Sequence, residues 1–186
     1  MSVIETIKKR RSIRKFKRKE VPEYIIKKIL NAARLAPSGN NAQPSNYIII
    51  KDKKTKEMLK KNKIFVQNLV YDVPLIIACC ANPDAYPKTK FIEGVDDPNV
   101  ARALRDLSIA SSYLVLAATE LGLGCCYIGW MNKKKAKRVL GIPKNFIFPY
   151  VIICGYPNEK RKRSKKKSLK EILHHEKWWY DKGATC

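Results

Sequence analysis

Three guanidiniums and a hydroxyl crowd into Arg10-Arg11-Ser12-Ile13-Arg14, enough to hold a phosphate and one polar ring edge. Arginine suits that task because its planar fork pairs bidentately with phosphate oxygens. About one helix later comes Pro37-Ser38-Gly39-Asn40-Asn41-Ala42-Gln43-Pro44. This Pro- and Gly-bounded loop carries Ser, two Asn and Gln, which supply both donors and acceptors. The chemistry on offer is the binding of an anion joined to a flat heterocycle. Acid–base or nucleophilic catalysis has no comparable support. The chain holds no G-x-S-x-G, H-E-x-x-H, Walker A or spaced Cys/His cluster. Its two histidines, His174 and His175, sit in the tail and read as solvated.

The elements that must place these residues can be read from periodicity. Ser2-x-x-Glu5 is a capping box opening a short helix with Val3, Ile4 and Ile7 on its apolar face. That helix ends near Lys9–Arg11 and presents the arginines at a helix-to-loop junction. A second helix follows Pro22, with Ile25, Ile26, Ile29, Leu30 and Ala33 at 3.6-residue spacing, and Pro37 ends it. Strands are predicted at Tyr47–Ile50, Leu75–Cys80, Gly124–Trp130 and Pro149–Gly155. Helices are predicted at Lys54–Lys61, around Ile64–Val70, from Asp97-Pro98 to Gly122, and at Lys133–Leu140. The long helix is apolar or small on nearly every face over Leu107–Leu121, so it is expected to lie in the core or in a dimer interface. Residues 82–98, with three prolines and no clear period, form a candidate lid. The order, ααβαβαβαβ, indicates an α+β fold with helices against a central mixed β-sheet.

At 186 residues and 45% hydrophobic, the chain is long enough for one domain with its own core. No apolar run approaches the ~20 residues of a membrane span, and the first residues carry no signal-peptide h-region. The net charge of +23 gathers in residues 1–20, 51–63, 133–138 and 158–170. Such a field attracts anionic ligands, phosphorylated cofactors and nucleic acids among them, and weakens with salt. The six cysteines include two adjacent pairs inside strand-like runs, whose side chains point to opposite faces. They read as buried small hydrophobes in a reducing cytoplasm, with no metal ligand set.

The ordered pair of N-terminal motifs resembles the signature of the nitroreductase family, the FMN-dependent NAD(P)H oxidoreductases. The resemblance extends to Tyr127-Ile128-Gly129-Trp130 and to Gly155-Tyr156-Pro157 with the basic run after it, covering Ile7 to about Lys177. It implies a nitroreductase-like fold and a domain-exchanged homodimer. It also implies that Arg10, Arg11, Ser12 and Arg14 contact the FMN phosphate, ribityl chain and pyrimidine edge. Pro37, Ser38, Gly39 and Asn41 would line the flavin from the second subunit. Ile128 and Gly129 would bring backbone close to the reactive N5. Lys162 and Lys166 stand for the second phosphate-binding cluster, within a basic extension at 158–186. Two departures are visible: the family tail alternates Pro with Lys/Arg, and those prolines are missing here. Ser45 also follows Gln43-Pro44 where many members carry an aromatic residue, which implies a wider or more polar substrate side.

The implied activity is hydride transfer from NADH or NADPH through flavin N5 to a small flat electron acceptor, a nitroaromatic or quinone, by ping-pong. Within the family, a flavin-fragmenting or dehalogenating member is the alternative. A redox-inert flavin-binding protein would bind FMN without oxidising NAD(P)H. A nucleic-acid-binding protein is a third class. Basic runs without interleaved aromatics predict only non-specific, salt-sensitive binding.

Overall fold

Ser2 starts the first helix with a reciprocal cap: its hydroxyl accepts the Glu5 N–H while the Glu5 carboxylate accepts the Ser2 N–H. The computed structural model describes residues 2–87 and 98–178. Its elements run α1 (Val3–Lys9), α2 (Glu23–Arg34), β1 (Ser45–Ile50), α3 (Lys53–Lys61), β2 (Leu75–Ala81), α4 (Pro98–Glu120), β3 (Gly124–Ile128), α5 (Lys133–Leu140) and β4 (Ile147–Gly155). This is the order expected from periodicity. Around Ile64–Val70 the expected helix is replaced by an isolated bridge, Phe65 to Met131, and a 3-10 turn at Asn68–Asp72. The Tyr71 hydroxyl holds both the N–H and the carbonyl of Phe65, which favours a turn over a helix there.

The strands form one sheet in the order β1-β2-β4-β3, each pair antiparallel. Parallel pairing, expected from a mixed sheet, is confined among the described residues to the bridge between Ser12 and Cys125. Pro149 lies inside β4, a central strand, where a proline removes a ladder donor. It is accommodated where the β2–β4 register shifts and where β4 runs past the end of β3.

Strand alternation divides the interior in two. Leu75, Ile77, Cys79, Cys125, Ile152 and Cys154 face α2 and α4, against Ile26, Ile29, Leu107 and Leu114. Ile76, Ala78, Cys80, Cys126, Val151 and Ile153 face α3 and α5, against Leu59 and Ala136. Each adjacent cysteine pair therefore splits across the sheet, and the five described cysteines are free and buried; Cys186 lies outside the described residues.

One expectation about burial is corrected. The α1 residues Val3, Ile4 and Ile7 are exposed, and Thr6 is the buried one. On α4 the buried stripe runs through Leu107, Ala110, Leu114 and Ala118, while Leu104 and Tyr113 on other faces are more than 40% exposed. The expectation for Leu107–Leu121 is the core or a dimer interface, and one chain covers only part of that stretch. Of the candidate lid, residues 88–97 lie outside the described residues. No helix among the described residues is long and apolar enough to cross a membrane.

Candidate functional site

Segment 12–17 is held to the sheet from both sides. The Ile13 N–H donates to the Cys125 carbonyl, and Lys17 N–H to the Tyr156 carbonyl. Asn158 N–H returns to the Lys15 carbonyl, so the basic stretch after β4 lies against the N-terminal motif. Gly124 makes this fit possible, because a Cβ there would stand 2.6 Å from Ile13 Cγ1. Glu159 fixes the junction: one of its carboxylate oxygens accepts the N–H groups of Arg14 (2.6 Å) and Lys15 (3.2 Å). The Arg14 N–H is the main reason that its pKa lies below the usual carboxylate value.

This docking creates a pocket of about 260 Å³ lined by Arg10, Arg11, Ser12, Arg14, Arg161, Lys162, Arg163, Ser164 and Lys166. Seven cations and two hydroxyls face it, with no carboxylate among them. The structure thus brings Lys162 and Lys166 together with all four residues of the first motif. Arg11 lines the pocket with one nitrogen already committed, since its NH1 donates to the Lys8 and Arg10 carbonyls at the end of α1. Ser12 and Arg14 also adjoin the Cys126 thiol, whose pKa is raised by burial and only partly lowered by the arginines and the Ser12 hydroxyl. Two residues further along β3 come buried Ile128 and exposed Gly129. A Cβ on Gly129 would meet nothing nearer than the Pro149 carbonyl at 3.8 Å, so the backbone there is open to a flat ligand.

The second motif lies elsewhere on the chain. Pro37, Ser38, Gln43 and Pro44 line a separate cavity of about 320 Å³, with Tyr47, Asp106 and Ala110. It shares no residue with the cationic pocket. The loop is strained: Asn40, Asn41 and Gln43 all have φ near +50°. Asn tolerates the left-handed region, but such residues still cost on the order of 1–3 kcal/mol each and persist only where surroundings impose them. Here the Ser38 hydroxyl accepts the Gln43 N–H, and Asp106 of α4 accepts the Gly39 N–H at 2.7 Å. Asp106 is 2% exposed and also receives the Tyr86 hydroxyl and the Arg105 Nε–H. Burial pushes its pKa up, but the Arg105, Tyr86 and Gly39 donors outweigh that and hold it below the ordinary value.

Glu159 and Asp106 are not singled out from the sequence, whereas Tyr86 is expected only within the candidate lid and Arg161 only within the basic run after Pro157. The first two had a visible signal: Glu159 is the lone acid in the basic run, and Asp106 the one acid of α4 before its last residue, Glu120.

The description of the nitroreductase family matches residues 7–156. A protein of Archaeoglobus fulgidus, provisionally named NADH dehydrogenase/NAD(P)H nitroreductase, is 31% identical over 94% of this chain and 98% of its own. A nitroreductase family protein of Clostridium difficile 630 superposes with a TM-score of 0.82 at 28% identity, covering 96% of this chain and all of that one. An FMN-dependent nitroreductase of Clostridium difficile R20291 superposes at 0.77 and 28% identity, over 94% and 99% of the two chains.

Proposed function

This chain belongs to the nitroreductase family, and we propose that it is an FMN-dependent oxidoreductase that uses NADH or NADPH to reduce a small flat electrophile. Seven cations converge on one pocket from opposite ends of the chain, with no carboxylate in the lining, and that convergence carries the proposal. It fits the phosphate of a flavin mononucleotide in charge. When bound, FMN would supply the redox chemistry, hydride transfer from NAD(P)H to a nitroaromatic or quinone in two successive half-reactions.

The protein's own part is binding, orientation and exclusion of water. Arg10, Arg14, Lys162 and Lys166 hold the phosphate, and Ser12 and Arg14 reach the ribityl chain and the polar ring edge. Ile128 and Gly129 offer backbone to the reactive side of the ring. Arg11 contributes through the pocket wall, with part of its guanidinium spent on α1.

The working unit is a homodimer in which Pro37, Ser38, Gly39 and Asn41 approach the flavin from the second protomer. The separation of the loop cavity from the cationic pocket within one chain supports this. So does an apolar groove of about 480 Å³ lined by Val3, Ala32, Leu35, Tyr113, Leu116 and Ala117. Val3 and Leu35 are 71% and 65% exposed there, and a second copy would cover them.

The test is a visible spectrum of protein purified without added cofactor, followed by anaerobic NADH or NADPH. A bound flavin that bleaches supports the enzyme. A flavin that stays oxidised would make the protein a redox-inert binder, and failure to take up added FMN would overturn the assignment.

A further inference from the structure

One carboxylate oxygen joins two parts of the chain that the proposed reaction needs in register. Asp106 Oδ2 accepts both the Gly39 N–H and the Tyr86 hydroxyl, while Oδ1 is taken by Arg105 Nε. Gly39 belongs to the strained loop between α2 and β1, and Tyr86 to the Asn82–Pro87 turn that leaves β2. The same turn holds the far end of the loop, because Asn82 N–H donates to the Pro44 carbonyl at 2.9 Å. Asn82 also caps the turn by accepting the Asp84 N–H, and the Asp84 carboxylate accepts the Asn145 amide. Tyr86 is 4% exposed, so its hydroxyl has no water to exchange for Asp106.

We infer that Asp106 is a positioning residue which, through Tyr86, makes the Asn82–Pro87 turn and the Pro37–Pro44 loop a single rigid unit, and that this unit sets the fit of the electron acceptor. The role of the loop in that inference rests on the FMN-dependent reading above. A loop with three non-glycine residues at positive φ does not hold its shape unaided. It is clamped at Gly39 and at Pro44, and both clamps lead to the same turn. Release of the Tyr86 hydroxyl frees the turn at one point and leaves Asp106 with two donors. The acceptor side of the pocket then loosens, while the phosphate pocket, which shares no residue with the loop cavity, keeps its grip.

The experiment compares Tyr86→Phe, Asp106→Ala and the double variant by amide hydrogen exchange of the apoprotein and by steady-state kinetics of the FMN-loaded protein. In Tyr86→Phe, exchange over residues 37–44 speeds up at least fivefold. The KM for the acceptor rises at least fivefold and kcat stays within twofold, while the FMN Kd rises by less than the acceptor KM because the phosphate pocket is unchanged. In the Asp106→Ala background, which removes the shared acceptor oxygen, the Tyr86 change adds nothing further, since the link is already cut. Wild-type exchange rates in Tyr86→Phe overturn the inference, as does an effect of equal size in both backgrounds. A wild-type protein that takes up no FMN would instead defeat the functional reading, and the exchange measurement would still report on the link.

Discussion

Glu159 accepts the Arg14 backbone N–H at 2.6 Å, across 145 positions of sequence. The contact is an acid placed in the most basic part of the chain, used to aim cations instead of to neutralise them. With both Arg14 and Lys15 amides bound to its carboxylate, the arginine side chain is left for the pocket. Glu159→Ala removes the shared acceptor and should weaken FMN binding about three- to tenfold, a loss typical of charge-assisted hydrogen bonds. Glu159→Gln keeps one acceptor oxygen and should recover part of it. Flavin fluorescence quenching on titration gives both Kd values. An Ala variant that binds as tightly as wild type would show that segment 12–17 is fixed by the strand bridge alone.

The cations of the pocket are not equivalent. Arg11 closes the end of α1, whereas no comparable pair of carbonyl contacts ties Arg14 down. Ser12→Ala with Arg14→Ala should lower FMN occupancy by about tenfold or more with little change in Tm. Arg11→Ala should lower Tm by a few degrees and affect occupancy less, because its first loss is the helix end. Occupancy of the as-purified variants, read from the flavin-to-protein absorbance ratio beside a thermal melt, separates the two.

Gly124 is a packing requirement. Its missing Cβ is where Ile13 sits, at 2.6 Å from Cγ1 and 2.7 Å from Cβ. Gly124→Ala should cost about 1–3 kcal/mol, the range for overpacking a filled core. It should also weaken FMN binding by displacing Ser12. Ile13→Ala removes Cγ1 and Cγ2, two of the three atoms that the added Cβ would meet, so combining the two should restore some of the loss. Urea midpoints of the single and double variants test the pairing.

Much of this was legible in the chain. Period-2 and period-3.6 patterns place nine elements in order, because the core on each side of the sheet is built from local alternation. The Arg10–Arg14 and Pro37–Pro44 motifs were visible because turn residues and ligand-binding groups coincide in them. What was not legible depends on contacts distant in sequence. Asp106 reads as one polar residue in a helix until Gly39 and Tyr86 are brought to it. Likewise, the exposure of Val3 and Leu35 depends on what packs against α1 and α2, which the periodicity of one helix does not contain.

Acid should act on the same two carboxylates. Asp106 and Glu159 both have folded pKa values below their ordinary values of 3.8 and 4.5. Their contribution to stability is therefore complete above the ordinary values and is lost as pH falls through the lower, folded ones. Stability from urea unfolding should be flat on their account near neutrality and fall below about pH 4.5. Asp106→Asn should start less stable and show a shallower fall. An unchanged slope in Asp106→Asn would mean that other carboxylates govern the acid limb.

The apolar groove between α1, α2 and α4 makes the dimer testable without reference to redox chemistry. Leu35 at the end of α2 and Tyr113 on α4 are 65% and 43% exposed and line the same groove. Charge placed there leaves the single chain's core untouched, since neither side chain fills it. Leu35→Lys with Tyr113→Glu on the same chain could pair across a two-fold axis, so Leu35→Glu with Tyr113→Glu is the decisive combination: like charges then meet whichever residues oppose. The expected result is a protein that sediments as a monomer with wild-type helix content. It should also lose FMN at least tenfold more readily if, as proposed, the Pro37–Asn41 loop of one protomer completes the site at the cationic pocket of the other, the two sharing no lining residue within one chain. A monomer that keeps its flavin at wild-type affinity would place the whole cofactor site within one protomer and remove the reason for the exchange.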